Sequence, residues 1–284
     1  MSLRRQAIQG GLWSAAERWS GQLLSTAIFL ILARLLSPED FGLVALATAL
    51  IGFAGVLVQG GFAEAIVQRE DLQKGHLDTA FWSTLLLACA LAGATFFAAP
   101  FLARWLGQAE LEDIVRVLSP VFLLVALSST QNAILRRNFQ FKSLSIRTLF
   151  ATLVGGVIGI GCALAGLGAW SLVAQRLAGS LVGVLVLWWA STWRPGLGVS
   201  LAAFKDLFSF GVNVTGISVL TFLNRWLDRL LIGAFLGPAA LGYYTIAKRF
   251  TEMADQLLVR PITSVAFPTF SRIQSDRPRF RAAY

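Results

Sequence analysis

The chain has 284 residues, 56% hydrophobic and 14% charged, with a mean hydropathy of +0.68 and a formal net charge of +9. Soluble domains carry roughly a quarter charged residues, so this composition excludes an ordinary soluble globule and points to several membrane spans. One histidine, His76, and two isolated cysteines, Cys89 and Cys162, leave no basis for a His-based triad, a zinc cluster or a disulfide framework, and no cofactor or metal is expected.

In chain order, the N-terminal stretch Met1–Gly11 places Arg4 and Arg5 before an apolar run, as a secretion signal does. Glu17 and Arg18 interrupt that run, so it reads as a retained first helix. Eight apolar segments have spanning length, about 17–25 residues or more. They are Gly11–Leu36, Phe41–Gly60, Leu77–Leu106, Ile114–Leu135, Leu144–Leu167, Ala169–Ala190, Leu207–Leu236 and Leu241–Phe267. Pro120 and Pro261 fall inside spans four and eight and are expected to kink them, because proline removes a backbone donor. Gly155 and Gly159 form a GxxxG in span five, which predicts close helix packing.

The connecting segments alternate in charge. Those on the N-terminal side hold Arg4, Arg5, Arg69, Lys74, Arg136, Arg137, Lys142, Arg147, Arg194, Lys205 and the arginines of 272–281. The opposite loops, SPED (37–40), GQAELED (107–113), the Gly166–Gly168 turn and LGPAA (236–240), hold no lysine or arginine. Basic residues collect on the cytoplasmic ends of membrane helices, so both termini are expected in the cytoplasm. The same asymmetry accounts for the positive charge without nucleic acid as a partner. Trp188, Trp189 and Trp193 close span six at the inner face, as an aromatic belt would. No loop is long enough to house a catalytic domain, so an enzyme is not expected.

An internal repeat organises the chain. LARLLSPEDFGLVALA (32–47) aligns with IGAFLGPAALGYYTIA (232–247) at a constant offset of 200, matching Pro38 to Pro238, Gly42 to Gly242 and Ala47 to Ala247. Six spans separate the copies, an even number, so both copies run the same way through the membrane. The expected fold is an all-α polytopic membrane protein: a six-helix bundle (1–195), a cytoplasmic connector (196–206), and the first two helices of a second, parallel-repeat bundle with a basic loop (207–284). Since that bundle stops after two helices, the chain is expected to be the N-terminal portion of a longer transporter or a truncated product.

Several stretches carry a family likeness: ARLLSPEDFGLVALA, IVQREDLQKGHLDTAFW, RRNFQFKSLSIR, DRLLIGAFLGPAALGYYTIAKRF and VAFPTFSRIQSDRPRFRAAY. In these the chain resembles bacterial polysaccharide exporters, the lipopolysaccharide and exopolysaccharide oligosaccharide flippases of the multidrug/oligosaccharidyl-lipid/polysaccharide superfamily. The resemblance implies two helical bundles around a central cavity in the bacterial inner membrane. It implies alternating access that flips a polyprenyl-diphosphate-linked oligosaccharide among membrane lipids, with a polysaccharide polymerase and chain-length machinery as further partners. A multidrug or cation exporter of the same superfamily and a non-transporting remnant stand as alternatives.

Ionisable residues inside the membrane are costly and mark pathways or pairs. Arg225, Asp228 and Arg229 share one helix face, as do Lys248, Glu252 and Asp255. Asp228 and Lys248 each lie ten residues from Pro238, about 15 Å deep at 1.5 Å per residue. Two readings stay open. In one, Asp228–Lys248 and Arg225–Glu252 are neutralised pairs. In the other, Arg225, Arg229 and Arg249 hold a diphosphate, whose oxygens an arginine fork binds bidentately, and Asp228, Glu252 or Asp255 couples an ion. In span one, Arg18 and Gln22 share a face toward the cavity, and Glu17 is a further ion-pair or coupling candidate. Arg176 in span six is another cavity candidate. Arg34, Arg104 and Arg116 sit near span ends, where they snorkel.

The charge asymmetry generates a topology prediction. An alkaline phosphatase fusion after Gln108 is expected to be active and one after Arg194 inactive; the reverse pattern overturns the orientation.

Overall fold

The computed structural model describes residues 20–59, 61–69 and 71–255, which leaves Glu17, Arg18 and Pro261 outside the described residues. Helices follow one another in order, and no strand occurs among the described residues. They are α1 (Ser20–Leu35), α2 (Pro38–Gln59), α3 (Phe62–Gln68), α4 (Lys74–Trp105), α5 (Glu110–Leu118), α6 (Val121–Arg137), α7 (Phe141–Leu164), α8 (Trp170–Ala190) and α9 (Leu201–Ala254). Helices α2, α4, α7, α8 and α9 are long and apolar enough to cross a membrane.

The first corner is built by SPED. Ser37 Oγ accepts from the Asp40 backbone N–H (3.2 Å), while the Asp40 carboxylate accepts from the Ser37 N–H (2.9 Å) and hydroxyl (2.7 Å). This reciprocal cap, with proline at the first helical position, starts α2 at Pro38. The matching corner of the second repeat uses other chemistry. Gly237 adopts φ 82°, ψ 177°, a region essentially confined to glycine, and Pro238 again opens the next helix. Helix α9 therefore comprises two limbs, 201–236 and 238–254, which correspond to spans seven and eight.

Span four differs from expectation. The sequence suggests one kinked helix over Ile114–Leu135, but α5 ends at Leu118 and α6 begins at Val121. Pro120 has no N–H to continue the ladder, and Ser119 turns its hydroxyl back onto the Arg116 carbonyl (2.8 Å). Pro100, by contrast, is carried inside α4. The connector also differs: helix α9 begins at Leu201, within the segment read as a loop, because Ser200 caps it by accepting from the Ala203 N–H. The stretch before it is pinned to α4. Asp78 accepts from the Gly196 N–H (3.0 Å), Thr79 from the Ser200 N–H (3.0 Å), and Trp82 donates to the Gly196 carbonyl (2.8 Å). Of the three belt tryptophans, only Trp189 faces outward; Trp188 donates to the Leu127 carbonyl (2.9 Å), and Trp193 packs on Phe81.

The interior rests on two close helix pairings. Helix α7 meets α8 through the GxxxG. A Cβ on Gly155 would lie 2.7 Å from the Gln175 carbonyl oxygen, and one on Gly159 would lie 2.8 Å from Gln175 Cβ. Helix α2 runs along the first limb of α9, with Gly52 beneath Phe222, and Gly61, at the start of α3, lies against Gly211. At the corner the repeat copies meet reciprocally: a Cβ on Gly42 would overlap the Pro238 carbonyl, and one on Gly242 would overlap the Pro38 carbonyl. Helix α1 in turn lies beside the second limb, where Phe29 contacts both Phe41 and Phe250 edge-on. First helix against last and second against third is the pattern of two equivalent hairpins related by an axis along the helices.

Because backbone atoms cannot yield as a flexible side chain does, the Gly42 site is expected to be intolerant. Gly42→Ala should lower the melting temperature of the purified protein by about 5 °C, from an overpacking cost of roughly 1–3 kcal/mol. Gly161→Ala, whose Cβ meets nothing within 4 Å, should leave it unchanged.

Candidate functional site

A cavity of about 490 Å³ lies among α1, α2, α7 and α8 and is closed on one side by α9. The close α7–α8 approach places Gln175 and Arg176 on its wall, and the α2–α9 crossing brings in Trp226 and Arg229. Ser25 of α1, Thr48 of α2 and Thr245 of the second α9 limb add hydroxyls. The wall thus mixes apolar surface with hydroxyls, an amide and two arginines, the pattern of a ligand site rather than of a packed core.

The arginines of the cavity are held differently. Arg176 is exposed, and its side chain is on the cavity wall. Among the described residues it has no hydrogen-bond or ion-pair partner. Arg229 is nearly buried. Its Nη2 donates to Glu252 Oε1 (3.1 Å), its guanidinium lies 4.3 Å from the centre of the Trp226 ring, and its Nε has no partner. Arg249 reaches the rim indirectly, donating to Ser25 Oγ (2.7 Å) with its guanidinium over Phe29.

Asp228, Tyr244 and Lys248 form a separate group. Lys248 Nζ and the Tyr244 hydroxyl both donate to Asp228 Oδ2, and Lys248 also donates to the Tyr244 oxygen (3.2 Å). The remaining Asp228 oxygen accepts the Arg229 backbone N–H (2.8 Å). Asp255 lies at the end of the described helix.

The geometry sorts the residues singled out in the sequence. Arg176 and Arg229 share the cavity wall, and Arg249 touches a wall residue. Gln22 does not line the cavity; α1 contributes Ser25, one turn on. Arg225 is exposed and lies off the cavity wall. Glu252 pairs with Arg229, not with Arg225, although Arg225 and Glu252 match in depth. The reason is directional: helical side chains lean toward their own N-terminus. On antiparallel limbs, Arg229 and Glu252 therefore lean toward each other, whereas Arg225 leans away. The participants missed include the wall hydroxyls of Ser25, Thr48 and Thr245, and also Tyr244, Trp226 and Gln175. Tyr244 was legible as the i, i+4 neighbour of Lys248. Trp226 and Gln175 carry no signal of their own, since an apolar aromatic and a lone amide acquire a role only from the crossing that positions them.

A family model described as "Polysaccharide biosynthesis protein" matches residues 31–284. The chain belongs to this family. It is similar to the succinoglycan biosynthesis transport protein ExoT of Rhizobium meliloti (strain 1021), at 30% identity over 94% of this chain and 54% of that protein. It is also similar to the lipopolysaccharide biosynthesis protein WzxC of Escherichia coli (strain K12), at 27% identity over 100% and 58%. A third relative is the teichuronic acid biosynthesis protein TuaB of Bacillus subtilis (strain 168), at 27% identity over 100% and 59%. The chain thus spans somewhat over half the length of these curated relatives. Its fold is like that of a multidrug resistance MATE family transporter of the MOP superfamily, solved in an inward-facing conformation. The TM-score is 0.59 at 20% identity, over 95% of this chain and 69% of that one. The protein is a multi-pass membrane protein of that transporter fold.

The Asp228–Lys248 geometry generates a charge-swap prediction. Asp228→Lys and Lys248→Asp should each lower the melting temperature by about 5 °C, since each leaves like charges facing inside the bundle. The double swap should recover most of the loss; no recovery in thermal unfolding counts against the pair as a source of stability.

Proposed function

We propose that this chain forms part of a transporter that moves an oligosaccharide carried on a polyprenyl diphosphate across the bacterial inner membrane by alternating access. The observation that carries the reading is Arg176, an arginine inside the cavity with no carboxylate opposite it among the described residues. A cation held this way attracts an anion, and its planar fork suits the oxygens of a diphosphate. Arg229 supports the same reading, because its Nε is left without a partner while Glu252 engages only its outer nitrogen. Arg249 could reach the same anion by releasing Ser25. The relatives' names, which concern the transport or biosynthesis of several bacterial surface polysaccharides, agree in substrate class. A cationic drug as cargo would face the arginines of this wall.

In this reading the end of the bundle bearing Arg69, Arg136, Arg137 and Lys142 faces the cytoplasm, and so does the N-terminus. Residues 1–195 supply the first bundle and the segment from 207 the start of the second, with 196–206 between them. The Asp228–Lys248 pair, with Tyr244 bonded to it, is structural in this reading. The protein acts by binding and moving its cargo, not by catalysis.

The test uses the full-length protein in proteoliposomes with an undecaprenyl-diphosphate-linked sugar. Arg176→Gln is expected to slow transfer between leaflets about tenfold or more, the loss of one charge-assisted contact. Arg176→Lys should retain part of the rate, and inorganic pyrophosphate should compete in the wild type more strongly than in Arg176→Gln. Unchanged transfer and unchanged competition in Arg176→Gln would sink the reading.

A further inference from the structure

A second cavity, of about 320 Å³, lies among α3, α6, α7 and α8, toward the basic end of the bundle. Ser180 lines both cavities, so the two are neighbours across one turn of α8. Its polar wall is shared between Glu64, Arg136, Arg147 and Ser180 and the run SSTQN, residues 128–132 in the middle of α6, which is unusual for an apolar span.

The run divides by face. Thr130 and Gln131 are buried in the protein, away from the cavity, whereas Ser128, Ser129 and Asn132 line it. Ser128 is occupied in part, donating to the Leu124 carbonyl (2.8 Å). Ser129 and Asn132 have no side-chain partner among the described residues. A polar side chain in mid-helix within a membrane protein is costly unless it meets water or a ligand. One turn toward the basic end, Arg136 faces Glu64 (3.7 Å) at the rim.

The donor and acceptor pattern discriminates among ligands. A hydroxyl and a carboxamide each both donate and accept, the Glu64–Arg136 pair adds an acceptor and a donor, and the Arg147 guanidinium adds a further donor. A diphosphate, whose oxygens only accept, would set them against the Glu64 carboxylate and the Asn132 side-chain carbonyl, and a quaternary cation would meet two guanidiniums and no aromatic face. Sugar hydroxyls, which both donate and accept, match this wall.

Building on the transporter reading above, we propose that this second cavity is a glycan subsite. Ser129 and Asn132 hold hydroxyls of the sugar nearest the diphosphate, while the diphosphate sits at Arg176 in the neighbouring cavity. The protein thereby reads sugar and carrier separately, with Ser180 at the junction.

The experiment measures binding to the purified full-length protein by intrinsic tryptophan fluorescence with two probes, undecaprenyl diphosphate and undecaprenyl-diphosphate-linked hexose-containing oligosaccharide extracted from the source cells. In Ser129→Ala/Asn132→Ala, the sugar-bearing probe is expected to bind about tenfold more weakly, from two lost hydrogen bonds, and the bare diphosphate equally well. Ser129→Phe, which fills the cavity, should give the same selective loss if the double variant proves unstable. Arg176→Gln should weaken both probes. Equal loss of both probes in the Ser129/Asn132 variants, or no loss of either, overturns the glycan subsite while the Arg176 result stands. Failure of the wild type to bind either probe overturns the transporter reading and this one with it.

Discussion

The contact on which the rest depends is the backbone crossing of the two repeat corners, Gly42 under the Pro238 carbonyl and Gly242 under the Pro38 carbonyl. In lipid no hydrophobic force drives helices together, because the tails are as apolar as leucine. Association depends on how closely backbones can approach, which favours small residues where helices cross. Here that approach fixes the register of α2 against α9, and Gly52 and, at the start of α3, Gly61 extend it along α9. Trp226 and Arg229 reach the cavity only because α9 is held at that register.

A second crossing, of α7 and α8 through Gly155, Gly159 and Gly179, does the same for the opposite wall. It turns the Gln175–Arg176 pair inward. The cavity is therefore the space left between two tight crossings, and its residues come from helices far apart in the chain. The same logic explains the adjoining cavity, where α6 lays a polar stripe against α8 at Ser180.

Charge is distributed unevenly across this frame. The second hairpin carries acids that neutralise its own bases, Asp228 with Lys248 and Glu252 with Arg229. The equivalent positions of the first hairpin, offset by 200, are Ile28, Thr48, Phe29 and Gly52, so the repeat conserves its crossing but not its charge. Arg176 belongs to neither hairpin and has no acid opposite it among the described residues. Neutralised charges lend themselves to holding a bundle together, whereas an uncompensated one inside a cavity lends itself to holding an anion.

Much of the helical framework was legible in the sequence. Hydropathy located the apolar spans, since a bilayer admits few backbone solutions other than helices. The offset of 200 located the repeat, and GxxxG located the α7–α8 contact. Span four escaped, because whether Pro120 kinks or breaks a helix depends on where its neighbours' hydrogen bonds go. Partners across the hairpin were half legible: equal depth suggested Asp228–Lys248, but depth measured at Cα misassigned Glu252. The lean of each side chain toward its own N-terminus decides such pairs, and it acts only once two helices stand antiparallel at a given register. The sequence by itself thus determined which segments are helices, which corners repeat and which residues carry charge, because those follow from local composition and spacing. The tertiary structure decided which charges meet and which one faces the cavity, because that depends on crossings between segments up to two hundred residues apart.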